Sequence, residues 1–158
     1  MTLNVDVQNA TNQVASELIP DNAEIERWVH MTLKGKYEDA QLTVRIVGYE
    51  ESQHLNQTYR HRPGPTNVLS FPFEQPEMVQ PPLLGDIVIC APLVIKEAAE
   101  QRKDVLPHWS HLVVHGVLHL LGYDHELNHD AEIMENLEKV IMAELSFPDP
   151  YAENGSSE

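Results

Sequence analysis

The chain has 158 residues, a length typical of one domain built around one hydrophobic core. Its 25 acidic residues outnumber its 10 lysines and arginines, and the net charge of −15 argues against broad electrostatic binding to nucleic acid or anionic lipid. The single cysteine, Cys90, excludes an internal disulfide and fits a reducing compartment. The sequence has neither a signal-peptide pattern nor an apolar run of membrane-spanning length, which predicts a soluble cytoplasmic protein.

The first elements of the chain alternate strand with helix. Alternating apolar residues predict half-buried strands over residues 3–8 and 42–47. Between them, apolar residues at helical spacing predict a helix that ends near Leu33. Asp21, followed three residues later by Glu24, resembles a capping box and marks the start of that helix.

The middle of the chain combines a short helix, a loop and strands. The pattern predicts a helix over 51–59 that buries Leu55 and Tyr59 and places Arg60 at its end. A loop, RHRPGPT, follows. Apolar runs then predict strands over 67–71 and 86–90, separated by a proline-rich segment.

Three helices complete the predicted fold. Pro92 suits the first turn of a helix that reaches about Arg102. A helix over about 106–121 is apolar on most sides, which indicates a central, buried position. The last helix is amphipathic, and its pattern predicts burial of Ile133, Leu137, Val140, Ile141 and Leu145.

Together these elements predict the α+β class: a single domain with a mixed sheet of about four strands and about five helices. The central buried helix carries four histidines, His108, His111, His115 and His119. The C-terminal sequence PDPYAENGSSE has few residues that can pack. We therefore expect residues 1–147 to form one domain and residues 148–158 to form a disordered acidic tail.

The segment HGVLHLLGYDH is the most informative part of the chain. His115 and His119 are four residues apart, so on a helix they share a face and can bind one ion. Gly122 can adopt the left-handed backbone that reverses the chain, which gives His125 a route to the same ion. Three protein ligands with an open fourth position are typical of a catalytic zinc site.

Three further histidines compete for this role. His108 and His111 lie on the same helical stripe, but His108 is about 16 Å along the axis from His119 at a rise of about 1.5 Å per residue. His125 returns from the C-terminal end of the helix and favours the ligands nearest that end. We therefore interpret His108 and His111 as packed or solvated side chains. His129 is expected in solvent, although a longer turn would let it substitute as a ligand.

The candidate ligands favour hydrolytic chemistry, so we expect the domain of residues 1–147 to be a metal-dependent hydrolase. Neutral imidazoles leave the full charge of a dication on the site, which lowers the pKa of a bound water toward neutrality. Zinc is the first choice, at one ion per chain, and three imidazoles also suit nickel, copper or cobalt.

The histidine spacing equals that of the metzincin peptidase signature, H-E-x-x-H-x-x-G-x-x-H, with one change. Gly116 occupies the position of the glutamate that acts as general base in those peptidases. A peptidase is therefore disfavoured. Asp124, next to a ligand, either orients the metal site or caps the turn, and the sequence leaves both roles open.

Three blocks resemble one family. HGVLHLLGYDH, TNVLSFPFE at 66–74 and LLGDIVIC at 83–90 are similar to the YbeY family of bacterial ribosomal RNA maturation factors. The resemblance implies a metal-dependent endoribonuclease, specific for single strands, that matures the 3′ end of small-subunit ribosomal RNA and serves ribosome quality control. It implies that His115, His119 and His125 bind the metal and that Arg60 is the arginine near it.

Arg60 suits a phosphodiester substrate, because its planar guanidinium matches a phosphate and stays charged. Arg62, with His61 if protonated, would make RHRPGP a small positive patch that binds RNA locally on an acidic protein. In this interpretation Arg60 is catalytic and offsets charge that develops in the transition state. The sequence leaves open whether water or the ribose 2′-hydroxyl attacks the phosphorus.

Two other functions remain open at this stage. One is a non-enzymatic ribosome assembly factor, in which the histidines hold a structural ion and the acidic surface binds basic ribosomal proteins. The other is a zinc hydrolase or peptidase. The expected partners are single-stranded ribosomal RNA, the ribosome and ribosomal proteins, with neither DNA nor a membrane among them.

Overall fold

The computed structural model describes residues 2–124 and 126–152, and it contains four strands and five α-helices within that part of the chain. The strands and helices, in chain order, are β1 (Thr2–Asn9), α1 (Asn22–Leu33), β2 (Asp39–Val47), α2 (Tyr49–Arg60), β3 (Val68–Pro72), β4 (Leu83–Cys90), α3 (Ala91–Glu100), α4 (Val105–Leu120) and α5 (Asn128–Glu144). The prediction of a mixed sheet with about five helices is confirmed. None of the described helices is both long and apolar enough to cross a bilayer.

The four strands form one sheet in the order β1-β2-β4-β3. β2 pairs in parallel with β1 and β4, whereas β3 runs antiparallel to β4 at the edge. The predicted capping box opens α1: Asp21 accepts from the backbone of Glu24, and the Glu24 side chain accepts from the backbone of Asp21.

Helix α4 lies at the centre of the core. It packs on β3 and β4 and contacts α1, α3 and α5. Most of its side chains are buried, which explains why its sequence is apolar on nearly every side. Gly116 lies where the helix meets the sheet, and a Cβ at this position would be 2.9 Å from Cγ2 of the buried Ile87. The absence of a side chain here sets how closely α4 approaches β4.

The opposite face of the sheet has a smaller core, and one sequence prediction fails there. Val47, Leu69, Val88 and Cys90 are buried under α2, with Leu55 partly buried against them. Tyr59 is not buried: it is 62% exposed, and its ring packs edge-on against Phe71 with centroids 5.2 Å apart. The apolar spacing of α2 identified the helix but extended its buried face one turn too far.

The buried face of α5 also differs from the predicted one. Ile133 and Val140 are 41% and 58% exposed, while Ile141 and Leu145 are buried as expected and Leu137 is partly buried. The buried residues of the helix itself are Met134, Glu138, Ile141 and Met142. The buried face of α5 is rotated relative to the predicted face because it includes the carboxylate of Glu138. The prediction counted only apolar residues as buried.

His108 supports the packing of α4 against α3, as the interpretation of a packed side chain predicted. It is buried, and its Nε2 lies 2.9 Å from Oε1 of Glu97. Asn67 donates to the same carboxylate at 3.1 Å. His129 is exposed, also as predicted.

Part of the C-terminal segment contacts the domain. The carbonyl of Pro150 accepts a hydrogen bond from Nζ of Lys103 at 2.8 Å, and the Tyr151 hydroxyl donates to Glu138. Residues 153–158 lie outside the described part of the chain, so the disorder expected for them stays a prediction.

We expect Gly116→Ala to lower the free energy of unfolding by about 1–2 kcal/mol, because overpacking against Ile87 exceeds the gain in helix propensity. The matched background is Ile87→Ala, which removes all three atoms that the new methyl would meet. In that background the same substitution should be neutral or stabilising. Chemical denaturation of the four proteins measures the cycle, and an equal loss in both backgrounds would contradict the close contact.

Candidate metal centre and cleft

The C-terminal end of α4 is a Schellman turn centred on a glycine. Gly122 has φ of +101°, a conformation that residues with a side chain rarely adopt. Its N–H donates to the carbonyl of His119 at 3.0 Å, and the N–H of Tyr123 donates to the carbonyl of Leu118 at 3.0 Å. The predicted reversal of the chain after the histidine-bearing helix is confirmed.

Two of the three predicted ligands lie side by side. The rings of His115 and His119 have centroids 4.7 Å apart and planes at 76°. This proximity follows from their spacing of four residues on α4. The third predicted ligand, His125, lies outside the described residues.

His115 and His119 line an open cleft of about 670 Å³. The lining of the same cleft also includes Arg60, Arg62 and the whole of β3. The remaining lining residues are Tyr59, Gly122, Tyr123, Asp124 and Glu126. The structure therefore brings the predicted arginines and the two described histidines to one cavity, although these residues come from distant parts of the sequence.

The arginines are presented by the end of α2. Arg60 is the last residue of that helix, and His61 follows in a left-handed conformation with φ of +57°. Both arginines are exposed, and neither forms an ion pair with a carboxylate of residues 2–124 or 126–152. Lys36 adds a third positive charge nearby, since its Nζ donates to the hydroxyl of Tyr123 at 2.8 Å.

Glu138 lies behind the histidines and is completely buried. Its Oε2 accepts a hydrogen bond from Nδ1 of His115 at 2.7 Å and lies 3.3 Å from Nε2 of His111. Its other oxygen, Oε1, accepts from the hydroxyl of Tyr151. The ring of Tyr151 also packs edge-on against His111, with centroids 5.3 Å apart. α4, α5 and the C-terminal segment thus meet at one carboxylate.

Electrostatics keep this carboxylate charged. Burial alone would raise the pKa of Glu138, but the close polar contacts with His111 and His115 and the positive charge on those rings outweigh it and hold the pKa well below its usual range. Burial and the same carboxylate raise the pKa of the Tyr151 hydroxyl. Tyr151 therefore keeps its proton and acts as the donor.

Several of these groups can bind a cation. His111, His115 and Glu138 offer ligand atoms that all lie within 4.8 Å of one another, so they could hold a metal ion. The buried Nε2 of His111 has no hydrogen-bond partner among the described residues, which also fits a ligand role. The donor chemistry, imidazole with a carboxylate, suits zinc and related divalent ions. His115 belongs both to this group and to the histidines that line the cleft.

Sequence reasoning missed Glu138 and Tyr151. Glu138 lies in the middle of the apolar stripe of α5, four residues after Met134 and three before Ile141. A charged residue at the centre of a buried stripe is a signal in the sequence, because burying a carboxylate without partners is costly. Tyr151 lies in the C-terminal segment after Pro148. The composition of that segment predicted disorder, so no contact with the domain was expected there.

The structure also shows the surroundings of Asp124 and Gly116, whose roles the sequence raised. Oδ1 of Asp124 accepts a hydrogen bond from the backbone N–H of Glu126 at 3.3 Å, so the carboxylate stabilises the turn. Gly116, at the position of the peptidase glutamate, faces Ile87 in the sheet. The backbone there has no room for the general base that a metzincin places in its cleft, and a peptidase is not favoured.

These features define a class: a one-domain α+β protein with a histidine-based candidate metal centre at an arginine-lined cleft. The family model described as endoribonuclease YbeY matches residues 6–146, and the chain belongs to this family.

Named relatives support the assignment. The protein named Endoribonuclease YbeY from Pseudomonas savastanoi pv. phaseolicola (strain 1448A / Race 6) is 51% identical over 148 residues, which cover 92% of this chain and 89% of that protein. The protein of the same name from Pseudomonas putida (strain W619) is 49% identical over 153 residues, 96% of this chain and 95% of that protein. The solution structure of TM1509 from Thermotoga maritima has a similar fold, with a TM-score of 0.58 and 26% identity over 97% of this chain and 99% of that one.

We expect Gly122→Ala to lower the free energy of unfolding by about 1–2 kcal/mol, the usual cost of a side chain in left-handed backbone. Gly35, with φ of +82° and open space around it, is a matched control. Gly35→Ala should cost a similar amount of stability, whereas only Gly122→Ala should also weaken Co²⁺ binding measured by titration. Equal Co²⁺ affinity in the two variants would show that the turn does not shape the centre.

Proposed function

We propose that the protein is a metal-dependent endoribonuclease that cleaves single-stranded RNA. Within this proposal it acts in the cytoplasm on ribosomal particles, matures the 3′ end of small-subunit ribosomal RNA and serves ribosome quality control. The observation that carries the proposal is the single cleft shared by His115, His119, Arg60 and Arg62. The similarity to proteins named Endoribonuclease YbeY supports RNA as the substrate.

The proposed metal ligands are His115, His119 and His125, with one Zn²⁺ or another divalent ion per chain. His115 and His119 line the cleft that a substrate can enter, whereas Glu138 is completely buried behind them. The distance of 2.7 Å between His115 Nδ1 and Glu138 is that of a charge-assisted hydrogen bond. Two ligand atoms on one tetrahedral zinc, with bonds of about 2.1 Å, are about 3.4 Å apart. The distance between His115 Nδ1 and Glu138 is too short for two ligands of one ion, so we propose the cleft histidines and not the buried set.

When bound, a divalent cation supplies Lewis-acid chemistry to a phosphoryl oxygen. The chain's own residues bind and orient the substrate. Arg60 and Arg62 have guanidinium groups suited to bidentate hydrogen bonds with phosphate oxygens, and Arg60 also stabilises charge on the phosphoryl group as the bond breaks. Because neither arginine is engaged by a described carboxylate, both are available to an anionic ligand.

The cleft also fits a single strand better than a duplex. Tyr59, 62% exposed on its rim, offers an aromatic face on which an unstacked base can pack. Arg60 and Arg62 in the lining, and Lys36 next to Tyr123, place three positive charges at this cleft of a protein whose net charge is −15. RNA binding is therefore local, and the acidic remainder of the surface disfavours extended contact with the backbone of a duplex.

We expect the isolated protein to bind one divalent ion per chain. Removing a residue that only supports a ligand weakens metal binding by about 10–100-fold. Because His119 is a proposed ligand itself, His119→Ala should weaken binding by more than that. Elemental analysis and a Zn²⁺ competition titration measure this, and chelation should abolish cleavage of single-stranded RNA. His129→Ala is the control, since His129 is exposed. An effect of His129→Ala as large as that of His119→Ala would overturn the proposed ligand set.

We expect Arg60→Glu to lower kcat/KM for single-stranded RNA by at least about 100-fold, the loss typical when one donor to a developing anion is removed. Arg27→Glu changes the net charge equally at an exposed position on α1, outside the cleft, and should retain near-normal activity. Equal activity of the two variants would exclude a role for Arg60 at the reacting phosphate.

A further inference from the structure

We propose that Glu138 is a positioning residue of the metal centre, which fixes the ring of His115 through Nδ1, and that Tyr151 fixes Glu138. This inference rests on the proposed function, because it assigns residues that support a metal ligand. It goes beyond the ligand set by identifying a contact from α5 and the C-terminal segment on which that set depends.

The hydrogen bond to Glu138 orients the ring of His115. Its Nδ1 lies 2.7 Å from Oε2 of Glu138, a charged acceptor. A carboxylate accepts but does not donate, so Nδ1 carries the proton and Nε2 is the nitrogen suited to a cation. A carboxylate on the far nitrogen also makes the imidazole a better electron donor to a metal.

The side chain of Glu138 is itself held in place by its partners. A buried carboxylate with an unsatisfied oxygen would be strongly disfavoured. The Tyr151 hydroxyl supplies the partner of Oε1, so both oxygens are engaged and the side chain has one orientation. The Tyr151 ring is in turn held against His111. The C-terminal segment therefore acts on the centre through hydrogen bonds.

His111 contacts the same carboxylate but is not a metal ligand in this proposal. Its Nε2 lies 3.3 Å from the same Oε2, without the geometry of a hydrogen bond. In our proposal His111 packs against Tyr151 and Glu138 and does not bind the metal. The alternative, in which His111, His115 and Glu138 coordinate the ion directly, makes the opposite prediction for His111 variants.

The test compares Zn²⁺ and Co²⁺ affinities of the full-length wild type, Glu138→Gln, Tyr151→Phe and His111→Gln. We expect Glu138→Gln to weaken binding by about 10–100-fold and Tyr151→Phe, which keeps the ring, by up to about tenfold. His111→Gln should change the affinity by less than about threefold, since it removes no supporting hydrogen bond to His115.

A second readout separates positioning from stability. At saturating Co²⁺ the visible absorption bands should shift in Glu138→Gln, because His115 donates less charge to the ion, and the unfolding of each metal-free variant is measured alongside. Wild-type affinity and spectrum in a folded Glu138→Gln would overturn the inference, and so would a loss in His111→Gln as large as in Glu138→Gln. If Glu138→Gln does not fold, unchanged affinity in Tyr151→Phe would overturn it. Failure of the wild type to bind any divalent ion would instead overturn the proposed function.

Discussion

The hydrogen bond between His115 and Glu138 joins the histidine-bearing helix to α5 through a carboxylate that is completely buried in the core. Removing a carboxylate from water is costly, so this contact persists only because both oxygens of Glu138 have partners. The contact gives the ring of His115 a defined orientation at the cleft. The remaining features of the site can be understood from this constraint.

The scaffold around that bond is rigid for steric reasons. Gly116 lets α4 lie against Ile87, which fixes the depth of the helix in the domain. Gly122 ends the same helix with a turn that few other residues can adopt, one turn after His119. The end of α2 presents Arg60 to the same cleft, which β3 also lines. Two glycines and a helix terminus thus help to position the histidines and Arg60 at one cleft.

Much of this arrangement could be predicted from local sequence. The strands and helices follow from alternating and helical apolar periodicity, the capping box marks the start of α1, and the spacing of His115, His119 and Gly122 predicts their shared face and turn. Tyr59 was wrongly predicted to be buried because periodicity does not show where the covering sheet ends. Glu138 could not be assigned to His115, since their contact joins residues 23 apart on different helices. A charged residue within the apolar stripe of α5 was the available signal, and it explains why Ile133 and Val140 are exposed instead.

The central claim is that His115 contacts Glu138 through one nitrogen and a divalent cation through the other. NMR of the full-length protein with ¹⁵N-labelled histidine and bound ¹¹³Cd tests this directly. The account predicts scalar coupling between ¹¹³Cd and Nε2 of His115, together with a proton on Nδ1 that exchanges slowly because Glu138 is buried. Coupling of ¹¹³Cd to Nδ1, with the proton on Nε2, would contradict it and would place the ion in the buried group of His111, His115 and Glu138.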